Sequence, residues 1–327
     1  MKAIVARAAG GPEVLALADV PAPVPGPGEV LIDVVAAGIN RADVQQRRGF
    51  YPPPAGASDV MGLEVSGRIA GFGPNVTRPF SIGDKVVALL AGGGYAQQVA
   101  VPAGQVLRLP SGVDVVTAAS LPEVAATVYS NLFMTAQLQP GETVLVHGGT
   151  GGIGVMAVQL AKAAGGRVIA TAGSDEKVAM LTSYLGADAA INYRTRDFAE
   201  AVQEITGGQG ANVILDVVGA KYLAQNVASL ALYGRLVVIG LQGGATAELN
   251  LGALLAKRAA VIGTTLRARP TEEKSTIMDG VRDHVWPLIA AGTVKTIVDK
   301  TFPLAQAAAA HEYFDSGSHV GKVLLTL

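Results

Sequence analysis

Two rhythms of apolar and polar positions divide the chain. Up to about residue 120, short alternating runs at Lys2–Arg7, Glu29–Ala36, Val65–Phe72, Lys85–Leu90 and Tyr95–Val101 are separated by glycine and proline, including Pro52-Pro53-Pro54. Such spacing predicts short strands in an antiparallel, partly barrel-shaped domain. Beyond that point near-continuous apolar runs alternate with helical patterns. Strands are expected near 143–147, 167–172, 189–192, 212–216, 235–239 and 259–264, with helices near 152–164, 175–185, 197–206, 221–231 and 250–257. A strand covered on both faces loses its polar alternation, so the pattern predicts an α/β fold with a doubly wound, six-stranded parallel sheet of the Rossmann type. The tail departs from it, with helices expected around 271–291 and 304–315 and a last strand at Lys322–Leu327.

The strongest chemical signal sits where the first parallel strand meets its helix, at Val144-Leu145-Val146-His147-Gly148-Gly149-Thr150-Gly151-Gly152-Ile153-Gly154. In Gly149-x-Gly151-x-x-Gly154 the first glycine permits a tight turn and the second lets backbone N–H groups approach a pyrophosphate. The third allows the helix to pack on its strand. Thr150, Gly152 and Ile153 complete that cradle. The end of the next strand then discriminates between cofactors. A site for NAD places Asp or Glu there to hold the ribose 2′-OH, whereas Ala172-Gly173-Ser174 carries no carboxylate, and Asp175 and Glu176 are expected to start the following helix. Ser174, Lys177 and Tyr193 offer a hydroxyl, a cation and a phenol suited to a 2′-phosphate, so NADPH is the expected cofactor.

Composition narrows the field further. Lys+Arg 25 against Asp+Glu 26 leaves a net charge of −1 and no basic block, which argues against nucleic acid and anionic membrane as partners. Cysteine is absent, which removes disulfides, thiolate zinc sites and cysteine nucleophiles together. The four histidines, His147, His284, His311 and His319, lack close ligand spacing. The apolar run after Met1 is too short for a signal peptide, and a cytoplasmic location is expected.

Asn40-Arg41-Ala42-Asp43-Val44-Gln45-Gln46-Arg47-Arg48-Gly49-Phe50-Tyr51 and Gly62-Leu63-Glu64-Val65-Ser66-Gly67 resemble the zinc-independent quinone oxidoreductases of the medium-chain dehydrogenase/reductase superfamily. Gly92-Gly93-Gly94-Tyr95-Ala96, Thr171-Ala172-Gly173-Ser174, Asn192-Tyr193 and Gly321-Lys322-Val323 fit the same family, of the type that includes the tumour-suppressor-inducible human member. The likeness runs nearly end to end. It implies a GroES-like catalytic domain formed by 1–122 and 266–327 around a dinucleotide domain at 123–265. It also implies cofactor contacts at Thr127 and Lys322, and a homodimer paired through the edge strand at 259–264. Zinc alcohol dehydrogenases carry Cys where this chain has Asn40 and His where it has Leu63, so the donors of a zinc site are missing.

A nicotinamide hydride needs an acceptor that is electrophilic without a Lewis acid, and quinones and α,β-unsaturated carbonyls qualify. Asn40 is expected to orient the acceptor or cofactor through its amide, and Tyr51 to stack on a flat acceptor. Asp43 and Glu64 read as structural acceptors, and Arg267 as a residue at the cleft lip or in solvent. The leading function is NADPH-dependent, metal-free quinone reduction. Alternatives are reduction of the C=C bond of an enone or enoyl thioester, and a non-catalytic, crystallin-like NADPH-binding role. A short-chain dehydrogenase is excluded, because none of the eight Tyr has Lys four residues later.

Overall fold

The computed structural model describes residues 1–327. The chain divides into two compact units: Met1–Ala126 with Leu266–Gly292 and Thr296–Leu327, and Thr127–Thr265 with Thr293–Lys295.

The first unit is organised around one long strand, Glu29–Gly38. Val30, Ile32, Val34 and Ala36 point inward at the strand period of two, while Asp33 faces solvent. Along its length this strand pairs antiparallel with Glu64–Phe72, and its other edge is shared by Gln98–Pro102 and Lys322–Thr326. The sheet order is Val298–Pro303, Lys322–Thr326, Glu29–Gly38, Glu64–Phe72, Lys85–Leu89, Val106–Arg108, and only the first of these pairings is parallel. A separate antiparallel pair joins Lys2–Ala6 to Leu15–Asp19. Ile32, Val65, Val86 and Val99 pack with Phe314 of the helix Ala307–Asp315 in a common core.

Three strands here go beyond the sequence expectation: Leu15–Asp19, Val106–Arg108 and Val298–Pro303. The last exposes Asp299, Lys300 and Thr301 and buries only Phe302 well, so backbone pairing with Lys322–Thr326 recruits it without an apolar pattern. The helix expected over 271–291 is broken into Thr271–Gly280, a wider π-helical turn at Val281–Val285, and Trp286–Ala290. Pro287 explains the break: it lacks an N–H, and its ring crowds the carbonyl four residues back.

The second unit is the doubly wound α/β sheet. Its strands lie in the order Ala189–Asn192, Arg167–Ala172, Thr143–Val146, Ala211–Asp216, Leu230–Val238, Ala260–Gly263, all parallel. The strands Thr143–Val146, Arg167–Ala172 and Ala211–Asp216 are largely buried, with Val144, Leu145 and Val146 fully so. The order reverses between Thr143–Val146 and Ala211–Asp216, which makes the carboxyl ends of these two strands the ligand crevice of such a sheet. No helix of the chain is long and apolar enough to cross a membrane.

Candidate functional site

The glycine-rich turn leaves Thr143–Val146 and enters the helix Gly152–Ala163, with Gly151 as its N-cap. The positive φ belongs to Gly148, at 67°, so Gly148 makes the tight turn that was expected of Gly149. Gly149 is required for a different reason: a Cβ there would lie 2.7 Å from Leu181 and 2.9 Å from Ala170. At Gly154 it would run into the Gly148 carbonyl, whereas at Gly151 its nearest neighbour would be 3.5 Å away. The motif thus holds two packing glycines and one open position, beside which Gly152 and Ile153 begin the helix. Their N–H groups belong to the first turn, which has no intrahelical acceptors, and the helix dipole adds positive potential there. Thr150 is buried beneath this turn.

At the end of the strand Arg167–Ala172, Gly173 lies under Tyr193: a Cβ would meet the Tyr193 hydroxyl at 2.7 Å and Arg194 Nε at 3.4 Å. Ser174 caps the helix Asp175–Ser183, its hydroxyl oxygen accepting the Lys177 N–H at 3.4 Å. Asp175 Oδ1 is held by the Asn192 amide at 2.8 Å. The Ser174 hydroxyl holds the exposed Glu176 carboxyl below the usual glutamate range. Gly173, Ser174, Lys177 and Tyr193 therefore share one end of the sheet. Arg194, the cation directly after Tyr193 in sequence, joins them.

His147 lies directly before the turn and is buried. Its Nε2 meets Asn226 Oδ1 at 2.7 Å and its Nδ1 meets Thr171 Oγ1 at 3.1 Å. The Asn226 amide donates in turn to Asp216, whose carboxylate also receives the Val218 and Gly219 N–H groups. Because an amide oxygen only accepts, the His147 proton sits on Nε2. Burial lowers the His147 pKa to about 4. The residue locks strand ends together as a neutral ring. Thr127 is also buried in this unit, its carbonyl accepting from Ser130 and from the Asn131 amide at 2.8 Å.

In the first unit, the residues matching a zinc site hold an ammonium. Lys322 Nζ lies 2.8 Å from the Ile39 carbonyl, 2.6 Å from Asn40 Oδ1 and 2.6 Å from Glu64 Oε1. An ammonium has three N–H groups, and all three are engaged. The cofactor contact expected of Lys322 is not among these partners, which all belong to its own unit. Asn40 is held in the same way. Its Nδ2 donates to Glu64 at 2.9 Å and its Oδ1 accepts from Lys322, so both ends of the amide are held by protein. Asn40 is a buried strut at the start of the helix Arg41–Arg47. Leu63 is fully buried and offers no donor atom, so this donor set does not fit zinc. No group of three or more His, Cys, Asp or Glu in the chain is placed to hold a metal ion.

Tyr51 stands in the irregular segment after that helix, its ring 5.4 Å from the Arg267 guanidinium carbon. Arg267 is neither at a lip nor in solvent but buried. It donates to the carbonyls of Ala91 at 2.8 Å and Tyr51 at 3.3 Å and to Gln46 at 2.7 Å. Arg267 therefore fixes the backbone that presents Tyr51.

Asp43 supports the same region and, like Glu64, is an acceptor. It receives the Asn40 N–H at 2.8 Å, the Gly62 N–H at 3.2 Å and the Tyr95 hydroxyl at 3.1 Å. Burial still raises its pKa to about 6. Behind Tyr95, His311 Nε2 lies 3.2 Å from the hydroxyl, and Arg47 faces His311 Nδ1 at 3.1 Å. Arginine only donates, so Nδ1 accepts and the His311 proton lies on Nε2, directed at Tyr95. The result is a one-way series of hydrogen bonds from Arg47 through His311 and Tyr95 to Asp43. Sequence analysis gave Tyr95 and His311 no such role, because residues 52 and 216 positions apart in sequence show no pattern.

A six-stranded parallel sheet with this glycine turn, joined in one chain to a GroES-like unit, defines a medium-chain dehydrogenase/reductase. Residues 26–111 match the alcohol dehydrogenase GroES-like domain family and residues 152–280 the zinc-binding dehydrogenase family. The human quinone oxidoreductase is 31% identical, with 100% of this chain and 98% of that protein covered. A 2-haloacrylate reductase from Burkholderia sp is 33% identical, covering 97% and 96% respectively. The crystal structure of Escherichia coli quinone oxidoreductase complexed with NADPH superposes with a TM-score of 0.89 at 33% identity, covering 100% of both chains. The chain belongs to the zinc-independent quinone oxidoreductases of that superfamily.

Burial, reinforced by Arg47, lowers the His311 pKa to about 3, against about 6.5 for an unfolded histidine. The folded state thus binds fewer protons than the unfolded state between these values. The associated stability is complete above pH ~6.5 and is lost progressively as pH falls toward the folded pKa. His311→Gln should flatten the acid side of the stability curve by about one proton between pH ~6 and ~4, as read by urea titration. Ring resonances showing that His311 gains a proton near pH ~6.5 in the folded wild type would contradict this assignment.

Proposed function

We propose that this chain is an NADPH-dependent reductase that delivers hydride to a quinone without a metal. The observation that carries the reading is the set Asn40, Leu63, Glu64 and Lys322. Its one carboxylate, Glu64, is taken up by a buried ammonium and Leu63 offers no donor atom, so the set does not fit zinc and the acceptor must already be electrophilic. NADPH, when bound, supplies the hydride. The turn Gly149–Gly154 would hold its diphosphate, and Gly173, Ser174, Lys177, Tyr193 and Arg194 its 2′-phosphate. Tyr51, backed by Arg267, would face a flat acceptor. The NADPH-complexed Escherichia coli relative supports the cofactor assignment, and the human quinone oxidoreductase supports the acceptor. A second reading, reduction of an activated C=C bond, is favoured by the similarity to the 2-haloacrylate reductase. Both share cofactor and fold, and both need an electron-poor acceptor.

We also propose that the enzyme is a homodimer. Ala260–Gly263 is the edge of the parallel sheet and is largely exposed, as are Tyr233, Leu251 and Leu255. An apolar, unpaired strand edge invites pairing with its own copy. Light scattering should give twice the chain mass at micromolar concentration, and a monomeric mass would refute the pairing.

The cofactor assignment is tested with Lys177→Ala. A hydrogen bond to a charged phosphate contributes about 1.5–3 kcal/mol, so NADPH should bind roughly ten- to a hundred-fold more weakly while NADH changes little. Equal losses for both cofactors would assign Lys177 to the fold, and tighter NADH binding by the wild type would overturn the preference.

The acceptor is tested by following NADPH oxidation with a naphthoquinone, a crotonyl thioester and a haloacrylate. The proposal expects the highest kcat/KM with the quinone. A higher value with either alkene would move the assignment to C=C reduction, and no oxidation with any acceptor would favour a non-catalytic role.

A further inference from the structure

A cavity of about 410 Å3 lies entirely within the first unit. It opens between the segment 54–60 that follows Tyr51, the glycines Gly92 and Gly93, the strand Gln98–Pro102 and the start of the helix Thr271–Gly280. Its volume falls in the range of small-molecule sites. Neither Asn40 nor Tyr51 lines it, and the reduction reaction assigns it no role.

Two buried polar side chains on its wall are short of partners. Gln105, 3% exposed, has a carbonyl oxygen that receives no hydrogen bond. Lys274, 5% exposed, donates to the Arg267 carbonyl at 3.1 Å. Burial holds the Lys274 pKa below that of an ordinary lysine and outweighs the nearby Glu123 carboxylate. Glu123 itself is raised to about 8, first by burial and then by Glu64, so at neutral pH it is mostly protonated and offsets little of that charge.

A buried amide oxygen without a donor and a buried cation with one acceptor are each costly, and such groups in folded proteins generally have a partner. Arg267, Arg269 and Lys274 line the cavity; Arg267 is engaged by Ala91, Tyr51 and Gln46 and Arg269 lies 3.9 Å from Glu273, while the one carboxylate of the wall, Glu29, receives the Gly26 N–H at 2.8 Å. The rest of the wall is substantially apolar, with Val60, Leu90, Val99 and Val101. The missing partner is therefore anionic at one point, a hydrogen-bond donor at another, and apolar between.

We propose that this cavity is a binding site for a small organic carboxylate, with the carboxylate toward Lys274, a hydrogen-bond donor toward Gln105, and its body against the valine and leucine wall. Arg267 belongs both to this wall and to the support of Tyr51, so an occupant would further stiffen the segment between them.

The test uses the full-length protein and two isosteric probes, 4-hydroxybenzoate and 4-hydroxybenzamide, titrated by calorimetry. The acid should bind saturably, one per chain, and at least tenfold more tightly than the neutral amide. Lys274→Met should abolish that preference, and Gln105→Leu should weaken both probes, while each variant binds NADPH as the wild type does. Absence of saturable binding at millimolar acid, equal affinity for acid and amide, or undiminished acid binding by Lys274→Met would each overturn the proposal and leave the cavity to water. If the lysine variant fails to fold, the acid–amide comparison on the wild type decides alone.

Discussion

The structure of the first unit depends on three buried cations, because that unit is assembled from stretches of chain separated by the whole parallel sheet. Lys322, in the last strand, holds the Ile39 carbonyl, Asn40 and Glu64. Arg267, at the start of the returning chain, holds Gln46 and the carbonyls of Tyr51 and Ala91. Arg47 reaches the other way, to His311 and, at 2.7 Å, to Asp315. Apolar contact alone is non-directional and sets no register between two such stretches. A buried cation is directional, since its N–H groups must all find acceptors, and removing one partner leaves an uncompensated charge that costs about 3–5 kcal/mol. These three residues therefore specify how the returning segment docks, and the strand pairing of Lys322–Thr326 with Glu29–Gly38 follows from it.

The second unit solves a different problem with almost no buried charge. All but one of its strand pairings join consecutive βα steps, the exception being Thr143–Val146 with Ala211–Asp216, so the chain needs little beyond apolar strands and close approach at the glycine turn. Gly149 and Gly154 let helix, strand and turn touch, and the neutral ring of His147 ties the first strand to Asn226 and Asp216. The contrast is physical. Local topology is fixed by pattern and packing, and non-local topology needs specific polar contacts.

That contrast decides what was legible in the sequence. The parallel sheet, its strand positions and the glycine turn follow from periodicity, since each element's signal is contained in a window of about fifteen residues. The grouping of Gly173, Ser174 and Tyr193 at one end of the sheet, with Lys177 in the helix that Ser174 caps, was readable for the same reason. In the first unit, the protein partners of Asn40 and Lys322 and the burial of Arg267 had no local signal in the sequence. A composition count cannot show that Lys322 and Asn40 are 2.6 Å apart across 282 positions. The strand Val298–Pro303 was missed because its exposed face carries charge, and an edge strand held by backbone pairing has no apolar signature.

The replacement of metal donors by an ammonium also constrains chemistry. A zinc ion would polarise a carbonyl directly, and the acceptor would need little intrinsic electrophilicity. Here the corresponding positive charge is enclosed: Lys322 is 4% exposed and its N–H groups are saturated by the chain. Such a charge stabilises Glu64 and Asn40 but has no donor left for a substrate oxygen. Glu64 in turn receives the Glu123 N–H at 2.8 Å, fixing the first turn of the helix Pro122–Val128. The cation that would be a catalyst in a zinc enzyme has thus become part of the scaffold. Under the proposed function, selection among acceptors would then fall to the surface around Tyr51, where a flat electron-poor ring or conjugated alkene would need orientation more than activation.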